Sequence, residues 1–145
     1  MIKRTNLLLA LNIKANDFCS ANSVDAVFAG KSSDGSIYSP DPSTSYIRFD
    51  LIGNDIQRMS VKGNETDAML NGIYQAKVMI GKSSGKNPTI RSAQLSDLLQ
   101  DTFTQELMLV NGGQKVRIAR CNVDIEVSDK THEGLVVSIY FDCLG

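Results

Sequence analysis

The chain has 145 residues, 42% hydrophobic and 21% charged, with a formal net charge of −1. That is enough apolar material for the core of one domain spanning residues 1–145, and it leaves no basic excess, acidic tail or polybasic run to indicate a dedicated nucleic-acid binder. Cys19, Cys121 and Cys143 are odd in number and far apart, which fits a reducing cytoplasm better than a disulfide framework; with no CxxC and His132 the lone histidine, local spacing offers no zinc site.

The N-terminal stretch MIKRTNLLLALNIK places Lys3 and Arg4 before an apolar run that breaks at Asn12 and Lys14, too early for the core of a secretion signal. Leu8, Leu11, Ala15 and Phe18 recur at helical spacing instead, and Thr5 is a candidate N-cap, so a short amphipathic helix is expected over Thr5–Asp17. No later segment approaches the roughly 18 apolar residues of a membrane span. Val24–Ala29 reads as a short strand ending at Gly30. Residues 31–45, KSSDGSIYSPDPSTS, form a long surface loop rich in Ser, Asp, Gly and Pro. YIRFDLI then alternates, with Ile47, Phe49 and Leu51 on one face and Arg48 and Asp50 on the other.

Residues 53–71 are polar but carry Met59, Val61, Met69 and Leu70, the composition of a projecting loop or hairpin arm that packs on a partner. GIYQAKVMIG resumes the alternation, with Tyr74, Ala76, Val78 and Ile80 facing inward. The next stretch, VMIGKSSGKNPT, has the strand–glycine loop–helix order of a phosphate cradle. The letters do not match one: Gly81 and Gly85 enclose three residues where a Walker loop needs four, and Asn87 stands where the magnesium-binding hydroxyl belongs. The fragment Gly30-Lys31-Ser32 fails too, with Asp25 in place of the leading glycine.

Asn87 and Pro88 are a cap and first-turn pair, and Ile90, Leu95, Leu98, Leu99, Phe103 and Leu107 predict a long helix over residues 88–109, ended by Asn111-Gly112-Gly113. In KVRIARCNVDIEV, Val116 and Ile118 lie on one parity and Cys121, Val123, Ile125 and Val127 on the other; the switch near Ala119-Arg120 predicts a bulge or a strand that leaves one environment for another. SDKTHEG reads as a turn with His132 solvated. LVVSIYFDC is the closing strand, with Leu135, Val137, Ile139, Phe141 and Cys143 on one face. The fold expected is α+β: a mostly antiparallel sheet with a long helix packed on one face and a short N-terminal helix. No catalytic set emerges. The cysteines lie in apolar-periodic segments, Asp50, Asp55, Asp124 and Glu126 fall on solvent-facing strand or loop positions, and the aromatic residues do not interleave with basic ones.

Taken together, the N-terminal helix, SPDPSTSYIRFDLI, the variable arm, GIYQAKVMIG, the Gly/Ser-rich connection into QLSDLLQDTF, KVRIARCNVDIEV and LVVSIYFDC resemble the tail terminator proteins of long-tailed bacteriophages, the group that includes the lambda-like tail terminators. The resemblance lies in order and hydrophobicity over nearly the whole chain; the 31–45 loop and the sparse aromatic residues depart from the commonest form. It implies a non-enzymatic virion protein without cofactor or metal. Such proteins are made and assembled in the host cytoplasm and sit at the upper end of the tail. Six copies form a ring that caps the tail tube, stops its elongation and joins the tail to the head's neck. The implied partners are further copies of the chain, the tube protein and a head-completion protein, with genome DNA passing through unread and no membrane involved. The 53–71 arm and the 30–45 loop are the candidate contact segments, with Arg58, Met59, Lys62 and Met69 the candidate interface residues. Lys31, Lys82 and Lys86 are candidates to face the lumen or a neighbour, although each taken alone reads as a solvated charge. Another head–tail connector, or a small ligand-binding or enzymatic α+β domain, stands as the alternative.

Overall fold

The structure, a computed structural model, describes residues 3–32, 34–58 and 68–144. Helix α1 (Arg4–Ala21) is followed by β1 (Asp25–Phe28), β2 (Lys31–Ser32), β3 (Tyr46–Arg58), β4 (Ala68–Gly81), helix α2 (Pro88–Thr102), β5 (Met108–Asn111), β6 (Gln114–Ser128) and β7 (His132–Leu144). The strands form one sheet in the order β2-β1-β3-β4-β7-β6-β5. The β1–β3 pairing is parallel and the others are antiparallel. This is a mixed α/β fold with a mostly antiparallel, curled sheet and two helices.

Both helices lie on the same, concave face. α1 packs against β1 and β3 near one side of the sheet and against β5 and β6 near the other, so the sheet curls around it; α2 covers β4, β7 and β6. The period-two pattern accounts for what lies beneath. Ile47 and Phe49 of β3, Tyr74, Ala76, Val78 and Ile80 of β4, and Val137, Ile139, Phe141 and Cys143 of β7 are all buried against the helices. Phe28, Phe49 and Tyr74 stack in series at 5.6 and 5.4 Å between ring centroids. The Tyr74 hydroxyl donates to Asn12 of α1 at 2.5 Å, which satisfies the polar end of a ring in an otherwise apolar core.

The helix boundaries differ from those expected. α1 starts at Arg4 rather than Thr5 and presents Leu7, Ala10, Leu11, Ala15, Phe18 and Cys19, with Leu7 rather than Leu8 in the stripe. It ends where Ser23 turns to φ 57° and the Val24 N–H reaches back to the Cys19 carbonyl. At 15 residues α2 is shorter than α1 at 18, so the expected long helix is the shorter of the two. Its start is as expected: the Asn87 side chain accepts from the Ile90 N–H and Pro88 opens the first turn. It stops at Thr102 because Met108–Asn111 turns back through Gly112 and Gly113, both at positive φ, to pair with Gln114–Arg117. Leu95, Leu99 and Phe103 are fully buried, each worth about 1.5–3 kcal/mol of apolar burial. Ile90 and Leu98, expected in the same face, are exposed.

The parity switch in β6 is a bulge between Ile118 and Arg120, and a second follows between Val123 and Glu126. β3 has one between Ile52 and Asp55. The polar stretch that begins at residue 53 continues β3 to Arg58, and β4 starts at Ala68, so its described ends are strands of a hairpin.

Gly134 of β7 lies where a Cβ would collide with the backbone of Val78 in β4. Gly134→Ala therefore forces the central ladder apart. Urea unfolding should show a loss of about 2 kcal/mol or more; an unchanged midpoint would show that the ladder yields freely.

Candidate contact surfaces

The connection between β4 and α2 has the outline of a phosphate loop but not its donors. The Lys82 N–H bonds to the Thr131 carbonyl at 2.8 Å, Ser83 to Pro42 at 2.9 Å and Ser84 to Gly81 at 3.1 Å. The Lys86 N–H is directed to the Ser84 hydroxyl at 3.4 Å. These amides are spent inside the protein rather than converging on an anion. β4 also lies between antiparallel neighbours. The segment is a bend that ties three loops together.

His132 is the clearest correction to the sequence reading. It opens β7 on the convex face and is 1% exposed, not solvated. The loop before β3 folds over it. Nε2 lies 2.9 Å from the Thr44 carbonyl and Nδ1 2.8 Å from the Thr131 hydroxyl. A carbonyl only accepts, so Nε2 carries a proton, while the Thr131 hydroxyl bridges Nδ1 and the Asp129 carboxylate, to which it donates at 3.1 Å. The ring meets Tyr46 edge-on at 5.1 Å, and Tyr46 meets Tyr38 at 5.3 Å. Its surroundings make it a clamp between the 38–45 loop and the sheet. The turn before it is held by Asp129, whose Oδ1 accepts from the Thr131 and His132 N–H groups at 2.8 and 2.7 Å.

The two flanks of α2 carry opposite charge. On the β1–β3 side, Lys86 and Arg91 rim a cavity of about 250 Å³ floored by Ser43, Thr44 and Ser45. Arg91 is steadied by the Asn22 carbonyl at 3.1 Å, and Asp25 in the same wall accepts from the Tyr38 hydroxyl at 2.8 Å. On the β6–β7 side, Glu126 and Glu133 line a smaller hollow of about 110 Å³ with Thr89 and Ser92. Sheet register brings the two glutamates together, since Glu126 lies across from Leu135 and Ser128 from Glu133. Among the described residues neither has an ion-pair partner; the pairs present are Arg48–Asp50, Arg117–Glu106 and Arg117–Asp142.

Next to the glutamates is an open strand edge. β5 pairs only with Gln114–Arg117 of β6, and Ile118 bonds to residues 106 and 107. From Arg120 to Ser128 the outer edge of β6 has no strand partner among the described residues, although Gln100 of α2 reaches the Cys121 carbonyl at 3.0 Å. Val123 and Ile125 in this segment are 40% and 61% exposed. Among the described residues the outer edge of β3 is likewise without a strand partner beyond Phe49, where β1 stops.

The candidate residues from sequence fall into separate places. Arg58 ends β3, in register with Ala68, and Met69 lies in β4 between Gln57 and Leu144; Met59 and Lys62 lie outside the described residues. Lys82 and Lys86 are at the far end of β4 from Met69, about 40 Å away along the strand. Lys82 donates to the Asp129 carbonyl at 2.5 Å and is part of the local bend. Lys31 is exposed on β2, across from Phe28. Of the three lysines, Lys86 rims the cavity beside α2. In sequence Glu126 is a carboxylate-pair candidate and Glu133 carries no signal of its own. Their pairing depends on strand register, and only their shared position beside a turn signalled it.

The thiols are shielded. Burial pushes Cys19 up to about 12, and Cys121 and Cys143 up to about 11, so neutral thiols predominate at pH 7. The carboxyl of Asp129, by contrast, is held below the ordinary range, chiefly by the Thr131 and His132 N–H groups. Its contribution is therefore fully present above about pH 4 and is lost as the pH falls through the lowered value. In an NMR titration the Thr131 and His132 amide shifts should report a midpoint below 3.9, and Asp129→Asn should abolish that transition. A midpoint at the ordinary aspartate value would show that the turn does not hold the carboxylate.

No protein-family model matches the chain, and no curated protein does. The chain is similar to a solved structure of a protein named only by a number, over 100% of this chain and 98% of that one, with a TM-score of 0.73 and 17% identity. At that identity the likeness shows the fold.

Proposed function

We propose that this chain is a structural virion protein of the tail-terminator type, six copies of which form a ring that caps the tail tube, stops its growth and joins the tail to the head or neck. The observation that supports it best is the asymmetry of the flanks. One side has the open, partly apolar edge of β6 beside a pair of glutamates; the other has a loop-walled cavity rimmed by Lys86 and Arg91. A closed ring of identical subunits in head-to-tail contact needs two unlike flanks that fit one another. A two-fold dimer needs one self-complementary patch.

The ends of the sheet are unlike too, as a ring between two different partners requires. At one end the β3–β4 strands run past the last β1 pairing toward residues 59–67. At the other, the 81–87 bend, the 38–45 loop and the Asp129 turn are locked together. The first suits contact with one annular neighbour, tube protein or neck protein, and the second suits the other. Work by shape also agrees with a glycine loop whose amides are already used. No helix among the described residues is long and apolar enough to cross a membrane. The reading puts the protein in the virion, at the upper end of the tail, with DNA crossing the lumen unread.

Electron micrographs of tails assembled with and without the protein test the reading. With it, tube length should be uniform and each tube should end in a six-fold collar; without it, tubes should overrun. Native mass spectrometry should find six-subunit assemblies, free or on tube ends. Uniform tubes in its absence would sink the capping role, and tubes of correct length that fail to join heads would mark a connector instead.

A further inference from the structure

We propose that the acidic flank of one copy, Glu126 and Glu133 beside the exposed Val123 and Ile125, seats against the Lys86–Arg91 flank of a second copy of this chain. The inference rests on the ring reading and names the contact that closes it. Three observations carry it. The charges are complementary and on opposite sides of α2, an arrangement that suits a head-to-tail contact. The two glutamates and Lys86 have no ion-pair partner among the described residues, Arg91 bonds a neutral carbonyl, and Asp25, the carboxylate in the basic wall, is engaged by the Tyr38 hydroxyl, so the acidic side keeps its charge and the basic side a net positive one. And the acidic flank includes an open strand segment with exposed branched side chains, where a partner gains apolar burial.

The division of labour follows from magnitudes. Exposed ion pairs contribute little affinity in salt, so Val123 and Ile125 supply the driving force and the charges set orientation and exclude like-flank encounters. The bulge between Val123 and Glu126 interrupts the ladder there, so the edge offers side chains rather than a long template for strand addition.

A charge-swap experiment tests this. One variant carries Glu126→Lys and Glu133→Lys, leaving both flanks basic; another carries Lys86→Glu and Arg91→Glu, leaving both flanks acidic. Each alone should lose assembly on native mass spectrometry and light scattering, with apparent affinity down about tenfold or more. Mixed in equal amounts they should regain six-subunit particles containing three of each, because every contact is again between opposite charges. Folding is checked by circular dichroism; if a double variant does not fold, the exposed single changes E126K and K86E carry the same test. Wild-type rings together with rings of either variant alone would overturn this contact and leave the ring reading standing. Single variants that lose assembly and are not rescued by mixing would also overturn it. A wild type that remains monomeric both free and on tubes would overturn the ring reading itself.

Discussion

The β4–β7 ladder is the constraint on which everything else rests. Thirteen consecutive pairs run from Met69 and Leu144 to Gly81 and His132 without a shift in register. Gly134 lets the two backbones meet closely at its far end. Each outer neighbour is irregular: β3 slips between Ile52 and Asp55, and β6 slips twice. A straight spine with bulged strands on both sides is how a sheet bends toward one face, because each bulge adds local twist and turns the strand. The curl makes the trough that α1 fills from β1 to β5, and it leaves α2 to cover the spine. The flanking cavities exist because α2 is narrower than the sheet beneath it.

That arrangement explains which parts of the sequence were legible. Strands buried on one face announce themselves by period two, so Ile47, Phe49, Tyr74, Ala76, Val78, Val137 and Ile139 could be assigned inward from spacing alone. The change of parity near Ala119 pointed to a bulge or a change of environment, and the ladder shows the bulge. The end of α2 was misread because Leu107 keeps the helical phase of Phe103, while the decisive signal was the pairing of Met108–Asn111 with a strand beyond two glycines. The polar composition of residues 53–71 left a loop and a hairpin arm both open, and residues 53–58 and 68–70 are strands. They are strands because each pairs with the other along the backbone.

The contact surfaces were less legible, for a reason of sequence distance. His132 is buried by a carbonyl 88 residues earlier, and nothing in SDKTHEG reports that. Glu126 and Glu133 are brought together by strand register, and Lys86 and Arg91 by a helix cap. Sequence composition assigned candidate contacts to a projecting arm because polar segments with isolated methionines stand out. Charge arranged across a sheet does not stand out, since its members are ordinary surface residues until the topology places them together.

A ring subunit has to solve a problem that a dimer does not: its contact must close after a set number of copies and not propagate. A smooth open strand edge is poorly suited to that, because ladder pairing carries no stop signal and favours fibres. The exposed edge of β6 is bent by its second bulge and flanked by acidic side chains, and β2 on the other side is two residues long. Neither the β6 segment nor β2 invites indefinite strand addition, and the open part of β3 carries the bulge between Ile52 and Asp55. Contact is then left to groups with direction, a charged cavity rim on one flank and a charged, apolar ridge on the other. The angle between those flanks is fixed by how far the sheet curls around α1. On the ring reading, the number of subunits is therefore set in the core, by the bulges in β3 and β6 that determine the curl, while the surface charges decide only which flank meets which.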